Sequence, residues 1–206
     1  MPLVRRQTDT PTQAAPSVPD LLSSLGDSAA EVRFAAARDL AQAPGGVEAL
    51  GAALGREVDE RVREAILTSL TRAGAAEAVR ALSPHLRSDD AALRRGTLDA
   101  LRAMGRATRP FLAELLNDAD PDVRLLACEI VRELPSVEAT PLLCELLERE
   151  HEVNVCASAI EVIAEVGSAA ALPALACCAS RFGDSPFLTF AIGVARKRLA
   201  ASDPHA

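Results

Sequence analysis

The chain repeats itself about every thirty residues, and that period restricts its fold more than any other feature. Four segments align: Glu31-Val32-Arg33, Arg61-Val62-Arg63, Ala92-Leu93-Arg94 and Asp122-Val123-Arg124, their aliphatic residues stepping by 30, 31 and 30 positions. A fifth copy is anchored at Val155, 32 residues further on, with Cys156 where the arginine would stand. Four residues after the anchors come Ala36, Ile66, Thr97, Ala127 and Ala159; eight after come Leu40, Leu70, Leu101, Val131 and Ile163. These offsets share one face of a helix, so each copy buries a single apolar stripe. Gly74, Gly105, Pro135 and Gly167 follow at the next turn and predict helix stops. Five residues before the anchors, Asp27, Glu57, Ser88, Asp118 and Glu150 carry side-chain oxygens suited to capping the helix start.

Upstream of each anchor lies a shorter apolar helix: Val47–Leu54, Ala78–Leu86, Pro110–Leu116, Pro141–Leu147 and Ala171–Ala179, with Leu21, Leu22 and Leu25 serving the first copy. Each unit is therefore a helical hairpin that cannot cover its own apolar stripe, and only stacking the units does so. Six such hairpins predict an all-α fold, a right-handed α-α superhelix spanning residues 17–201. Residues 1–16 are polar and aperiodic and read as a disordered tail, and residues 202–206 as a frayed end. After the fifth copy the pattern reads as irregular, with Phe182, Phe187 and Phe190 placed to seal the end of the core.

Composition agrees with close-packed helices. Nearly half the residues are apolar, yet Trp and Tyr are absent and Phe numbers five, leaving Ala, Leu and Val to build the core. A net charge of −7 opposes nucleic-acid binding through the overall field. The charge is concentrated between residues 103 and 167, where 13 acidic side chains face 5 basic ones, a candidate surface for a basic partner. Five cysteines without paired spacing (Cys128, Cys144, Cys156, Cys177 and Cys178) and no apolar leader behind Arg5 and Arg6 point to a reducing cytoplasm. Arginine outnumbers lysine 21 to one, a codon bias of GC-rich bacterial genomes. No run approaches membrane-spanning length.

Asp27 followed by Val32-Arg33 and Ala35-Ala36, and Asp118 followed by Val123-Arg124 and Ala127, resemble the short HEAT-like repeat of the phycobilisome-lyase type. The resemblance covers about residues 18–200. It implies that the valine enters the core while Arg33, Arg63, Arg94 and Arg124 form a ladder with carboxylates on neighbouring turns. It also implies a protein-binding solenoid. Through lyases of that kind, it raises as an alternative a lyase- or chaperone-like maturation factor for a tetrapyrrole- or metal-bearing client.

Other chemistries that such repeats carry find little here. A di-iron hydroxylase needs several His-Glu pairs, and the sequence has one, His151-Glu152, with His85 and His205 isolated. A lesion-recognising glycosylase needs a basic, aromatic face. His151 lies five residues before Cys156, off the shared helical face, so no nucleophile–base pair is evident; Cys128 and Cys156 sit on consecutive second helices and could approach each other. The expectation is a chain that catalyses nothing and holds no cofactor or metal.

What remains is binding. Six residues after the anchors, Asp99, Glu129 and Glu161 form a ladder of carboxylates on successive second helices, with Arg38 and Thr68 continuing it upstream. Arg102 and Arg132 follow Asp99 and Glu129 at i,i+3 and are expected to pair with them. Phe34 and Leu125, two residues after their anchors, are expected to add exposed apolar contacts. This stripe is the sequence's candidate for docking a protein partner.

Overall fold

The computed structural model describes residues 16–201. The terminal segments read above as flexible lie outside the described residues, Pro16 excepted. Among the described residues twelve α-helices form six hairpins in chain order. The first three are α1 (Val18–Ser24) with α2 (Ala30–Leu40), α3 (Gly46–Leu54) with α4 (Glu60–Ala73), and α5 (Ala76–Leu82) with α6 (Ala91–Ala103). The second three are α7 (Leu112–Leu115) with α8 (Pro121–Val131), α9 (Ser136–Arg149) with α10 (Val153–Val166), and α11 (Leu172–Arg181) with α12 (Pro186–Ala201). Short 3₁₀ turns extend α5 and precede α7 and α11.

The hairpins stack into two layers. The even-numbered helices pack in succession from α2 to α12, while α3 packs on α5 and α9 on α11 in the other layer. The result is an α-α superhelix with one continuous core from Leu21 to Leu199. The repeat explains the burial. Val62, Leu93, Val123 and Val155 are nearly or fully covered, as are Leu40, Leu70, Leu101, Val131 and Ile163 eight residues on. Val32 is 38% exposed, because only the short, seven-residue α1 precedes α2. Thr97 stands buried where the other copies carry Ala or Ile, and its hydroxyl has no partner.

Two glycines have clear reasons. Gly74 closes α4 in the left-handed region at φ 60, with its N–H donating to the Leu70 carbonyl. Gly51 lets α3 and α5 touch, since a Cβ there would come within 2.7 Å of the Ala81 Cβ. Two expected boundaries move. The helix read from Pro141 begins at Ser136, with Pro141 inside it. The segment after α11 is not irregular: α12 is a regular helix sealed onto the core by Leu188, Ile192, Ala195 and Leu199.

The residues five before each anchor do not cap the second helices. Asp59, Asp90 and Asp120, three before the anchors, are the caps that accept the first backbone N–H groups. The earlier residues brace the loop instead. Asp27, Ser88 and Asp118 each accept a backbone N–H two residues on, and Glu57 and Glu150 each accept two.

Candidate partner-binding face

Three of the four repeat arginines, Arg33, Arg63 and Arg124, are structural ties between hairpins. Arg33 forks onto Glu57 with two N–H···O bonds of 2.8 Å, and Arg124 onto Glu150 at 2.7 and 2.9 Å. Arg33 and Arg124 also donate to loop carbonyls at residues 27 and 118. Arg63 reaches the cap Asp90 of the next hairpin at 2.9 Å. Ser88 stands where Arg63 would find the matching carboxylate, and Asp118, at that place for Arg94, pairs with Arg87, so Arg94 donates to the Ser88 carbonyl instead. The Arg33 hydrogen bond holds the Glu57 carboxyl below its ordinary range. Burial pushes the other way at Glu150, and the bonds from Arg124 and from the Glu152 and His151 N–H groups outweigh it, so its pKa is also lowered.

The ladder of carboxylates on the even-numbered helices is only partly as the spacing suggested. Arg132 does pair with Glu129, at 3.0 Å, but it also reaches Glu161 at 3.6 Å and Glu165 on α10. Burial opposes charge on Arg132, yet its bonds to Glu129 and Glu165 raise its pKa. Arg102 does not pair with Asp99. It crosses to Glu133 near the end of the next second helix, and Asp99 takes Arg95 one turn back, at 3.1 Å. Neither Phe34 nor Leu125 is an exposed apolar contact: both are half-buried against the core, Phe34 with the guanidinium carbons of Arg38 and Arg61 at 5.9 and 5.7 Å from its ring centre. Thus Phe34 and Arg38 gather at the first hairpins, Asp99 and Arg102 in the middle, and Leu125, Glu129, Arg132 and Glu161 toward the last.

This last group borders a feature that the spacing did not reveal. A groove of about 540 Å³ lies between α8, α10 and α12. Leu125 and Glu129 contribute to it from α8, and Ala157, Ile160, Glu161 and Glu165 from α10. The facing wall is α12, with Phe187, Phe190, Ala191 and Val194. Phe187 and Phe190 are 58% and 73% exposed and so do not seal the core. Phe182, the third aromatic of that set, packs under the Arg181 guanidinium at the end of α11. The available signal was the spacing of Phe187, Phe190 and Val194, one helical stripe separate from the buried one of Leu188, Ile192, Ala195 and Leu199.

The titratable groups elsewhere show structural roles. Cys156 points its thiol at the Glu150 carbonyl, 3.8 Å away, and its interaction with Cys178 of α11 raises the Cys156 thiol and lowers that of Cys178. Burial pushes Cys128 up to about 12. His85 lies 3.1 Å from the Gly51 carbonyl, so its Nε2 carries the hydrogen that bond needs. His151 is exposed in the loop before α10; His205 lies outside the described residues. Among the described residues no three His, Cys, Asp or Glu side chains group as metal ligands, and no helix is long and apolar enough to cross a membrane.

The family model described as HEAT repeats matches residues 18–102 and 108–182. No curated protein matches the chain. Among solved structures, Drosophila melanogaster Mini spindles TOG3 is similar at 18% identity and TM-score 0.57, over 90% of this chain and 96% of that one. A chain from the structural basis of microtubule plus end tracking by XMAP215, CLIP-170 and EB1 is similar at 14% identity and TM-score 0.57, over 87% and 90%. At such identities the likeness extends to the fold alone.

Proposed function

The chain belongs to the HEAT-repeat family, and on that premise we propose that it is a non-enzymatic scaffold or adaptor that binds a protein partner across its even-numbered helices. The observation that carries this reading is the groove between α8, α10 and α12, where two phenylalanines stand exposed beside a cluster of carboxylates. Soluble chains seldom leave two neighbouring aromatic rings in water without a use for them. Asp99, Arg102, Phe34 and Arg38 extend the same layer toward the first hairpin, so a long partner could run across several repeats. The finer reading is an accessory factor of a bacterial complex, working in the cytoplasm.

The test is affinity capture from native lysate with quantitative mass spectrometry. Asp99→Lys with Glu161→Lys changes exposed side chains of the even layer, whereas Glu48→Lys with Glu77→Lys changes exposed ones of the odd layer. Loss of a captured protein with the first pair alone supports the reading; equal capture by wild type and both pairs rejects it. The alternative, a maturation factor for a tetrapyrrole- or metal-bearing client, draws its support from the Asp27-to-Ala36 and Asp118-to-Ala127 resemblance. Absorbance of the captured complex separates the two, since only a cofactor-bearing client brings a visible band.

A further inference from the structure

We propose that the groove between α8, α10 and α12 receives an amphipathic α-helix of a partner protein, apolar on the face it buries and basic along the flank that meets α10. The inference rests on the scaffold reading and names the chemistry of its partner.

The shape of the groove argues for a helix. Its two principal walls carry matching stripes: Ala157, Ile160 and Ala164 on α10, and Phe187, Phe190 or Ala191, and Val194 on α12. Both follow i, i+3 or i+4, i+7 spacing, which makes ridges into which a third helix can set its own. Ala157, Ala164 and Ala191 keep the floor low enough for close approach. An extended peptide suits this trough poorly. The helices that line it satisfy their own backbone groups, so a strand would bury N–H and C=O groups against apolar side chains without partners. A helix brings its hydrogen bonds with it.

Charge decides the flank. Glu129, Glu161 and Glu165 converge on one guanidinium, that of Arg132. Three carboxylates against one cation leave two negative charges on the α8–α10 wall, whereas the facing α12 wall carries Arg198, so the basic flank belongs on the α10 side. The side chain of Glu161 is 66% exposed and that of Glu165 36%, so both remain open to a second cation from outside. Lysine or arginine on the incoming helix could lay its methylenes along the apolar floor and set its charge between these two. An acidic flank would meet repulsion at the same place.

The probe is a peptide of roughly 18 residues, long enough to be helical when docked, built of leucine and lysine in amphipathic order. Two controls accompany it: the same composition scrambled so that no apolar face forms, and the same order with glutamate for lysine. Fluorescence anisotropy of labelled peptides reads affinity against the full chain. The amphipathic leucine–lysine peptide should bind, the controls about tenfold or more weakly. Phe187→Ser with Phe190→Ser should weaken it about tenfold or more, at exposed sites where folding is little disturbed. Glu161→Lys with Glu165→Gln should weaken it and narrow its advantage over the leucine–glutamate peptide. Equal binding of all three peptides, or binding indifferent to both variant pairs, overturns the proposal. So does a concentration-dependent dimer, seen by sedimentation, that the two Phe substitutions dissolve, because the occupant would then be a second copy of this chain. Should the peptide fail while lysate capture still depends on Asp99 and Glu161, this inference falls and the scaffold reading stands. Should capture be indifferent while the peptide binds selectively, binding is confined to the groove, and the reading that a partner runs across the whole even layer falls.

Discussion

Removing the Glu150 carboxylate should destabilise the chain far more than removing any ion pair on its surface. Glu150→Ala takes away both bonds to Arg124, at 2.7 and 2.9 Å, and both loop N–H bonds. The two side chains are 15% and 4% exposed, so the buried-pair regime applies, in which loss of one partner costs about 3–5 kcal/mol. Arg124 keeps its bonds to the carbonyls of Asp118 and Ala119, and the freed N–H groups belong to exposed residues that water can reach. The expectation is therefore the lower end, about 3 kcal/mol, a large share of the stability of an ordinary domain. Within the same molecule Glu31→Ala provides the contrast: its partner Arg61 is 3.8 Å away and both side chains are more than two-thirds exposed, so the cost should be below about 0.5 kcal/mol. Replacing both Arg124 and Glu150 by leucine should recover most of the loss, since neither group is then left buried alone. The tie joins the fourth hairpin to the fifth, and solenoid stability is a sum of repeat and interface contributions, so Glu150→Ala should also broaden or split the transition. With no Trp or Tyr in the chain, urea titration followed by far-ultraviolet circular dichroism is the suitable assay. A cost below about 1 kcal/mol, or one equal to that of Glu31→Ala, would refute the reasoning that these forks hold the hairpins together.

Three further outcomes follow from particular side chains. Thr97→Val should raise stability by about 1 kcal/mol, because it exchanges a buried hydroxyl without a partner for a methyl of the same shape; a lower melting temperature would show that the hydroxyl is satisfied in solution. Glu57 and Glu150 both have lowered pKa values when folded, so their stabilisation is complete above the unfolded value of about 4.3 and is lost as pH falls through the folded ones. Acid titration should accordingly be shallower in Glu57→Gln with Glu150→Gln, and an unchanged slope below that pH would contradict it. Native chain treated with an aromatic disulfide reagent should lose exposed Cys177 first and half-buried Cys144 more slowly, with Cys128, Cys156 and Cys178 reacting only on unfolding. Mass mapping that finds Cys178 modified as fast as Cys177 would overturn this.

Periodicity made the stacked hairpins legible because burial in a solenoid repeats with the chain. A stripe at Val62, Ile66 and Leu70 meets the same neighbourhood as one at Val123, Ala127 and Val131, so each copy corroborates the next. The direction of polar side chains was not legible in the same way. The i,i+3 spacing of Asp99 and Arg102 is a real proximity, but stacking brings Glu133 of the following hairpin equally close, and Arg102 turns there. For long side chains on this layer the neighbouring repeat competes with the neighbouring turn, and sequence distance does not reveal which wins. Glu57 and Glu150 show the same limit: their position before the helix suggested capping, while Asp59 caps α4, no side chain caps α10, and these carboxylates reach back to the preceding hairpin.

The groove was hidden for a different reason. Leu188 stands 33 residues after Val155, and Ile192, Ala195 and Leu199 complete the stripe of a sixth copy, but Asp and Arg are missing from their places before and after the anchor. Without those markers the segment read as irregular and its phenylalanines as core. Helix α12 then carries two apolar stripes, one turned to α10 and α11 and one, through Phe187 and Phe190, left in the open. A single stripe announces a helix packed on one side; a second asks what packs on the other. Burial of Leu188, Ile192, Ala195 and Leu199 already accounts for the docking of α12, so Phe187, Phe190 and Val194 are not needed to hold the fold. Apolar residues that folding does not require, set opposite a wall with two unbalanced carboxylates, are the features by which a helix with a basic flank would be recognised.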